Sequence, residues 1–297
     1  MRIGIIGLGN IGGPIAANLL ADNYHVTVLD SDLERVNRLV TLGASSALNP
    51  AEVALQTDIT ILSLPTPEII IEVAENWLST AAPNSVLIDI STNSPETIRT
   101  LGKKIAERGS YLLEAPLTGG VPGAQARKLV FMVGGDRQAY ERCKPVLEKL
   151  SRAVFYLGEL GLGNTAKLIN SLMAFSATWM SLEGLAMATK AGIDLRTIVE
   201  LVRTAGASNF YMDGMVEYIN YKEKPVMFAL ELAAKDARLI ASMGQQLGVP
   251  TPVAESIAEV FRAAEKNGLA KRDWSDLVQF MESSAGVQFN LGESSCP

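Results

Sequence analysis

Histidine occurs once in 297 residues, cysteine twice, and aromatic side chains make up 6 % of the chain. The two cysteines, Cys143 and Cys296, stand far apart with no histidine or third cysteine near either. That spacing excludes a disulfide framework and a zinc knuckle, and it suits a reducing, cytoplasmic setting. Basic charge is not in excess: 26 Lys+Arg against 32 Asp+Glu give a net charge of −6. The chain therefore lacks the footprint of a nucleic-acid or anionic-lipid binder, and small-molecule partners are expected. No uncharged apolar window reaches the ~18 residues a membrane span requires. The richest, Leu168 to Ala188, contains Asn170 and Glu183. The apolar stretch Ile3 to Leu20 is interrupted by Gly4, Gly7, Gly9, Gly12, Gly13 and Pro14, so it reads as folded structure rather than a targeting segment.

What is present is an ordinary globular composition, 48 % hydrophobic and 20 % charged, on a length that accommodates about two domains. In the first half, short β-branched runs alternate with helical stretches. Arg2 to Ile6, His25 to Asp30, Ile59 to Leu62, Ser85 to Asp89, Tyr111 to Glu114, Leu129 to Val133 and Ala153 to Tyr156 read as strands. Alternation of this kind predicts a mostly parallel, doubly wound α/β sheet of the Rossmann type. After about Gly163 the strand signals stop, and windows rich in Ala, Leu, Met and Glu continue to about Ser283. The reading is a Rossmann-like domain over residues 1–163 followed by an all-α domain over 164–297. The all-α part opens with one long helix from Asn164 to about Lys190, and the tail from Gly286 carries no periodicity and is expected to be loose.

Gly7-Leu8-Gly9-Asn10-Ile11-Gly12 forms G-x-G-x-x-G between the first strand and the first helix. Gly7 permits the tight turn, Gly9 lets backbone approach a pyrophosphate, and Gly12 allows close packing of a helix whose amino end holds negative charge. A second strand ends in Asp30, 18 residues after Gly12, where a carboxylate would accept hydrogen bonds from an adenosine ribose. The same carboxylate would repel a 2′-phosphate, and Ser31-Asp32 bring no arginine to offset it, so NAD is expected over NADP.

A dinucleotide fold implies hydride chemistry, which needs a group to move the hydroxyl proton. His25 lies at the start of the second strand, away from the carboxyl edge where ligands bind, which argues against a histidine base. Lys167 is the better candidate. With Asn164 read as the N-cap, Lys167 falls in the first turn of the long helix, at the positive end of its dipole, where the field would draw its proton affinity down. Asn170 and Ser171, three and four residues on, share its face.

Taken together, GLGNIGGPIAANL at Gly7, DIST at Asp89 to Thr92, APLTGG at Ala115 to Gly120, GLGNTAKLIN at Gly161 to Asn170 and the pair Lys235-Asp236 resemble the β-hydroxyacid dehydrogenase family over nearly the whole chain. This family includes 3-hydroxyisobutyrate dehydrogenase and tartronate semialdehyde reductase, with a helical part of the 6-phosphogluconate dehydrogenase type. The resemblance implies NAD-dependent interconversion of a short β-hydroxyacid and its semialdehyde or keto acid at a cleft between domains, with Lys167 as general acid/base. It further implies that Thr118, Gly119, Gly120, Asn170 and Ser171 bind substrate. Gly7, Gly9, Asn10, Ile11, Gly12, Asp30, Leu64, Pro65, Thr92 and Lys235 would bind cofactor. Thr118 stands where the family usually has serine, Ser171 where many members have asparagine, and Arg127-Lys128 replaces a Gly-Thr pair and reads as an exposed turn. A homodimer or homotetramer is expected. Two alternatives are an imine reductase, against which Lys167 and Asp30 argue, and a non-catalytic NAD-binding protein.

Overall fold

The computed structural model describes residues 1–220 and 225–291. Contacts divide the chain into two compact units, Met1–Leu168 and the residues from Ile169 on. The first unit is built on nine strands: β1 Arg2–Ile6, β2 His25–Leu29, β3 Ser45–Ser46, β4 Ile59–Leu62, β5 Val86–Asp89, β6 Tyr111–Glu114, β7 Leu117–Thr118, β8 Leu129–Gly135 and β9 Ser151–Gly158. Between them run α1 Gly12–Ala21, α2 Leu33–Val40, α3 Pro50–Gln56, α4 Pro67–Leu78, α5 Pro95–Ala106, α6 Gly120–Gln125 and α7 Arg137–Lys149.

The order β3-β2-β1-β4-β5-β6-β8-β7, with β9 beside β8, is parallel from β3 through β6; β8 then pairs antiparallel with β6 and β7. This is the doubly wound arrangement predicted from the sequence, and the strand order reverses direction between β1 and β4, where ligands bind such sheets. Side-chain alternation explains why the strands read as continuous apolar runs. Ile3, Ile5, Ile59, Ile61, Val86, Ile88 and Leu113 enter one core, while Ile6, Leu62, Leu87 and Leu112 enter the other. Both faces are covered, so neither can be polar.

Helices α2, α3, α4, α5 and α7 each begin at a side-chain cap of their own: Asp32, Asn49, Thr66, Ser94 and Asp136. Helix α8, Leu162–Lys190, does not follow that pattern. It starts two residues before the expected Asn164, which lies inside the helix rather than at its cap, and Lys167 consequently stands in the second turn. The acceptor for its amino end comes from β6, as described below.

The second unit holds the rest of α8 with α9 Leu195–Thr204, α10 Phe210–Asn220, α11 Leu230–Gln246, α12 Pro252–Ala264 and α13 Leu277–Ala285. Its core includes the rings of Phe175, Phe261 and Trp274, with Phe175 4.9 Å from Phe261 and 5.6 Å from Trp274. The Asp273 carboxylate accepts the amides of Met227 at 2.8 Å and Phe228 at 3.0 Å, fixing the approach to α11. The expected loose tail is docked at one residue: Phe289 is 2 % exposed and its amide donates to Glu282 at 2.7 Å, while Gly286, Gln288 and Asn290 are exposed. Residues 292–297 of that tail lie outside the described residues.

Arg127 is not the simple exposed turn residue expected. Its Nη1 donates to both Asp22 oxygens at 2.7 and 2.9 Å, and its Nη2 donates to the Asn18 carbonyl at 3.0 Å, tying the turn after α6 to α1. It does so from a left-handed φ of +58°. Arg127→Ala should therefore lower stability by about 1–2 kcal/mol in thermal unfolding at neutral pH, and Arg127→Gly should recover part of that loss, about 0.5 kcal/mol. The hydrogen bond from Arg127 holds the Asp22 carboxyl below its ordinary range. That contribution is complete above the unfolded carboxylate pKa of about 4 and is lost as pH falls through the depressed value, so the gap between wild type and Arg127→Ala should narrow under acid.

Candidate active site

The turn after β1 is shaped by two close backbone approaches. Gly7 has φ +91°, and a Cβ on it would strike the Ser63 carbonyl; a Cβ on Gly12 would strike the carbonyl of Gly7. Gly9 is different. The atom nearest to a Cβ built there is Arg35 Nη1, at 3.8 Å, so the middle of the turn opens onto space. Helix α1 begins beside it with no side-chain cap and no acidic residue in its first turn. An open glycine at an uncapped helix amino end fits a pyrophosphate, whose charge the amides and dipole would hold.

Asp30 follows β2 at the same edge, its side chain 8 % exposed. Oδ2 accepts the Leu8 amide at 2.6 Å and Oδ1 the Asp32 amide at 2.8 Å. Two strong donors leave capacity for ribose hydroxyls, since a carboxylate has about four lone-pair sites. One expectation requires correction: a cation does stand near. Arg35, one turn into α2, places Nη1 3.7 Å from Asp30 Oδ2 and Nε 3.1 Å from Asp32 Oδ2. The i,i+3 spacing of Asp32 and Arg35 at a helix start was the available signal.

On the other side of the switch point, the loops after β4 and β5 are joined. The Leu64 amide donates to Ser91 Oγ at 3.0 Å, the Ser91 amide to Asp89 Oδ1 at 3.0 Å, and Asn93 Nδ2 to Asp89 Oδ2 at 2.7 Å. Pro65 and Thr92 lie in these loops. The Asn93 amide continues to Asn164 Oδ1 at 2.7 Å, and Asn164 Nδ2 donates to Glu114 Oε2 at 2.5 Å. Glu114 was not singled out from the sequence. One face of the compact unit thus joins the loops expected to hold cofactor to the helix turn that precedes Lys167, which is itself half-buried.

Thr118 ends β7, paired with Val130, and Gly119 and Gly120 follow at φ +115° and +58° with both residues exposed. Further along α8, Asn170 is half-buried and Ser171 is 3 % exposed. On α11, Lys235 Nζ lies 3.2 Å from Asp236 Oδ1. His25 is exposed at the start of β2. Cys143 is buried in α7, where burial pushes its thiol up to about 12, so it is an inert core residue rather than a nucleophile. Among the described residues no group of three or more His, Cys, Asp or Glu side chains could hold a metal ion, and no helix is long and apolar enough to cross a membrane.

Residues 2–158 match the family described as the NAD binding domain of 6-phosphogluconate dehydrogenase. Residues 161–281 match that of the NAD-binding region of NADP-dependent 3-hydroxyisobutyrate dehydrogenase. The 2-(hydroxymethyl)glutarate dehydrogenase of Eubacterium barkeri is 30 % identical over 297 residues, covering 99 % of each chain. This chain belongs to the β-hydroxyacid dehydrogenase family. The 3-hydroxyisobutyrate dehydrogenase of Pseudomonas aeruginosa is 35 % identical over 214 residues, covering 71 % of this chain and 72 % of that one. Among solved structures, Mycobacterium tuberculosis 3-hydroxyisobutyrate dehydrogenase with L-serine superposes with a TM-score of 0.87 at 27 % identity, over 95 % of this chain and 99 % of that chain.

For a β-hydroxyacid dehydrogenase with this turn, Gly9 offers a clean test of the cradle. Because a Cβ there meets open space, Gly9→Ala should fold with an unchanged melting temperature yet bind NAD about tenfold or more weakly, as the methyl fills the approach path of the phosphates. Fluorescence titration with NAD checks this. Unaltered affinity would remove the turn from the binding site.

Proposed function

We propose that this chain interconverts a short β-hydroxyacid and its semialdehyde or keto acid, with NAD as the redox partner and Lys167 as the general acid/base. The observation that carries the reading is Lys167 itself: an amine in the second turn of α8, on a helix whose start is hydrogen-bonded to the loop after β5, which in turn is bonded to the loop after β4. The names of the relatives support the substrate class. 2-(Hydroxymethyl)glutarate, 3-hydroxyisobutyrate and L-serine share one core, a CH2OH group on the carbon that bears a carboxylate, and differ only in the remaining substituent.

Gly7, Gly9, Asn10, Ile11 and Gly12 would hold the pyrophosphate, and Asp30 the adenosine ribose. Leu64, Pro65 and Thr92, from the loops after β4 and β5, would complete the cofactor set within this unit. When bound, NAD supplies the two-electron acceptor for the hydride. The chain's own work is to orient the acid and move one proton. Exposed Gly119 and Gly120 amides with the Thr118 hydroxyl suit the substrate carboxylate, because backbone donors and a hydroxyl give charge-assisted bonds without a competing side chain. Asn170, the more accessible of the two polar residues one turn on, suits the substrate hydroxyl, with buried Ser171 behind it. In oxidation neutral Lys167 Nζ takes the hydroxyl proton, and in reduction the ammonium returns it.

Two measurements test this. A panel assayed for kcat/KM, with NAD for 3-hydroxyisobutyrate and serine and with NADH for tartronate semialdehyde, sulfolactaldehyde and succinic semialdehyde, should show one or a few good substrates; no turnover across the panel would leave an NAD-binding protein without this chemistry. With the best substrate, oxidation should rise with pH through an alkaline apparent pKa. Lys167→Ala should keep NAD affinity while kcat falls about 10²–10⁴-fold. Normal turnover in that variant would overturn the assignment of Lys167.

A further inference from the structure

Glu114 ends β6 as a carboxylate with no access to solvent, 0 % exposed. Oε1 accepts the amides of Gly161 and Gly163, the latter at 2.9 Å; Oε2 accepts the amide of Asn164 at 3.0 Å and its Nδ2 at 2.5 Å. Each oxygen thus receives two donors, and no acceptor is left for an acid proton. The arrangement is that of an anion. Burial pushes the carboxyl above its ordinary range, and the four donors offset that only in part, so it is their geometry that favours the anion. The close approach depends on Gly163, where a Cβ would come within 3.0 Å of Glu114 Cγ.

We propose that Glu114 is a positioning residue for Lys167: through the first-turn amides of α8 and through Asn164 it fixes where the amine stands, and its charge opposes the helix dipole there. This rests on the reading of Lys167 as acid/base. Two observations support it beyond ordinary capping. The other helices in the unit that carry a cap use a side chain at their own N-cap, whereas here the acceptor is brought in from a strand about fifty residues earlier in the chain. The same Asn164 side chain also takes the Asn93 amide, so the position of the α8 turn is set by the loop after β5 as well as by β6.

Charged groups around this turn include Glu114 from β6, Arg99 from α5 and, one bond removed through Asn93, Asp89 from β5. Asp89 is buried and bonded to Ser91 and Asn93, and the Arg99 guanidinium packs on Gly161 while its Nε donates to the Leu160 carbonyl at 3.1 Å. Removing the Glu114 charge leaves Arg99 and the positive end of the helix less opposed, so the proton affinity of a nearby amine should fall.

The test uses the full-length enzyme and the best substrate of the panel. In Glu114→Gln, kcat for oxidation should drop about tenfold or more with KM for NAD within about twofold of wild type, and the alkaline limb should move to lower pH by about one unit. Glu114→Asp, which restores the charge on a shorter arm, should return the limb towards its wild-type position with kcat still reduced. A merely structural residue would lower the melting temperature without moving the limb, so an unmoved limb in a folded Glu114→Gln overturns the inference. Should that variant fail to fold, Asn164→Ser carries the test: kcat should fall at unchanged NAD affinity, and wild-type kcat overturns it. Turnover by Lys167→Ala would remove the reading beneath the inference, whereas an inactive Lys167→Ala beside an unmoved limb in Glu114→Gln removes the inference alone.

Discussion

A buried carboxylate at the amino end of α8 is the constraint on which the geometry around Lys167 depends. Glu114 satisfies three backbone amides and one side-chain amide at once, and none of these groups reaches water. A buried anion without such donors would be strongly destabilising, and orphaned amides at a buried helix end would be costly in their own right. Each therefore demands the other. The pairing decides that α8 starts at Leu162, and with it that Lys167 falls in the second turn. It also alters the electrostatic argument that first drew attention to that lysine. The positive end of the helix is real, but a full negative charge sits against it, so the field at the amine is a difference between two opposing sources rather than the dipole alone.

The sheet edge at the glycine turn uses the same device at a second place. Asp30 accepts the Leu8 amide and thereby shapes the glycine turn, while keeping lone pairs for a ribose. Its partner Arg35 is 42 % exposed and shared with Asp32, so it tempers the negative charge at the ribose end without cancelling it. In the proposed reading, two carboxylates against one arginine, a balance set within six residues of chain, would disfavour a 2′-phosphate on the cofactor.

What could be read in advance was whatever depends on near neighbours in sequence. Strands buried on both faces read as apolar runs, so Ile59 to Leu62 and Tyr111 to Glu114 were legible to the residue, as was the glycine turn. The two-residue strands Ser45–Ser46 and Leu117–Thr118 were not, because two residues carry no periodicity and their pairing is decided by the neighbouring strand. Asn164 misled for a related reason. Asparagine is a good cap by local propensity, yet here its oxygen is taken by Asn93 and its nitrogen by Glu114, 71 and 50 residues away. Arg127 read as an exposed turn residue because its partners on α1 lie more than 100 residues earlier. Phe289 lies in a stretch without repeat, and neither its burial nor its bond to Glu282 is announced by any pattern.

A common logic joins these details. In an open parallel sheet the loops that make a site leave from the carboxyl ends of the strands, where amides released from the ladder need acceptors that are not other strands. Three strands here end in, or are followed at once by, an acid that fills this need: Asp30 for the glycine turn, Asp89 for the loop through Ser91 and Asn93, and Glu114 for the start of α8. All three are committed in part as acceptors, and Glu114 wholly so, because each of its lone pairs already holds an N–H group. The acids thus act as scaffold, and the burden of moving a proton passes to a group that is a donor by nature. With the single histidine exposed at the far end of β2, that is the task proposed for Lys167, on the helix whose start Glu114 holds in place.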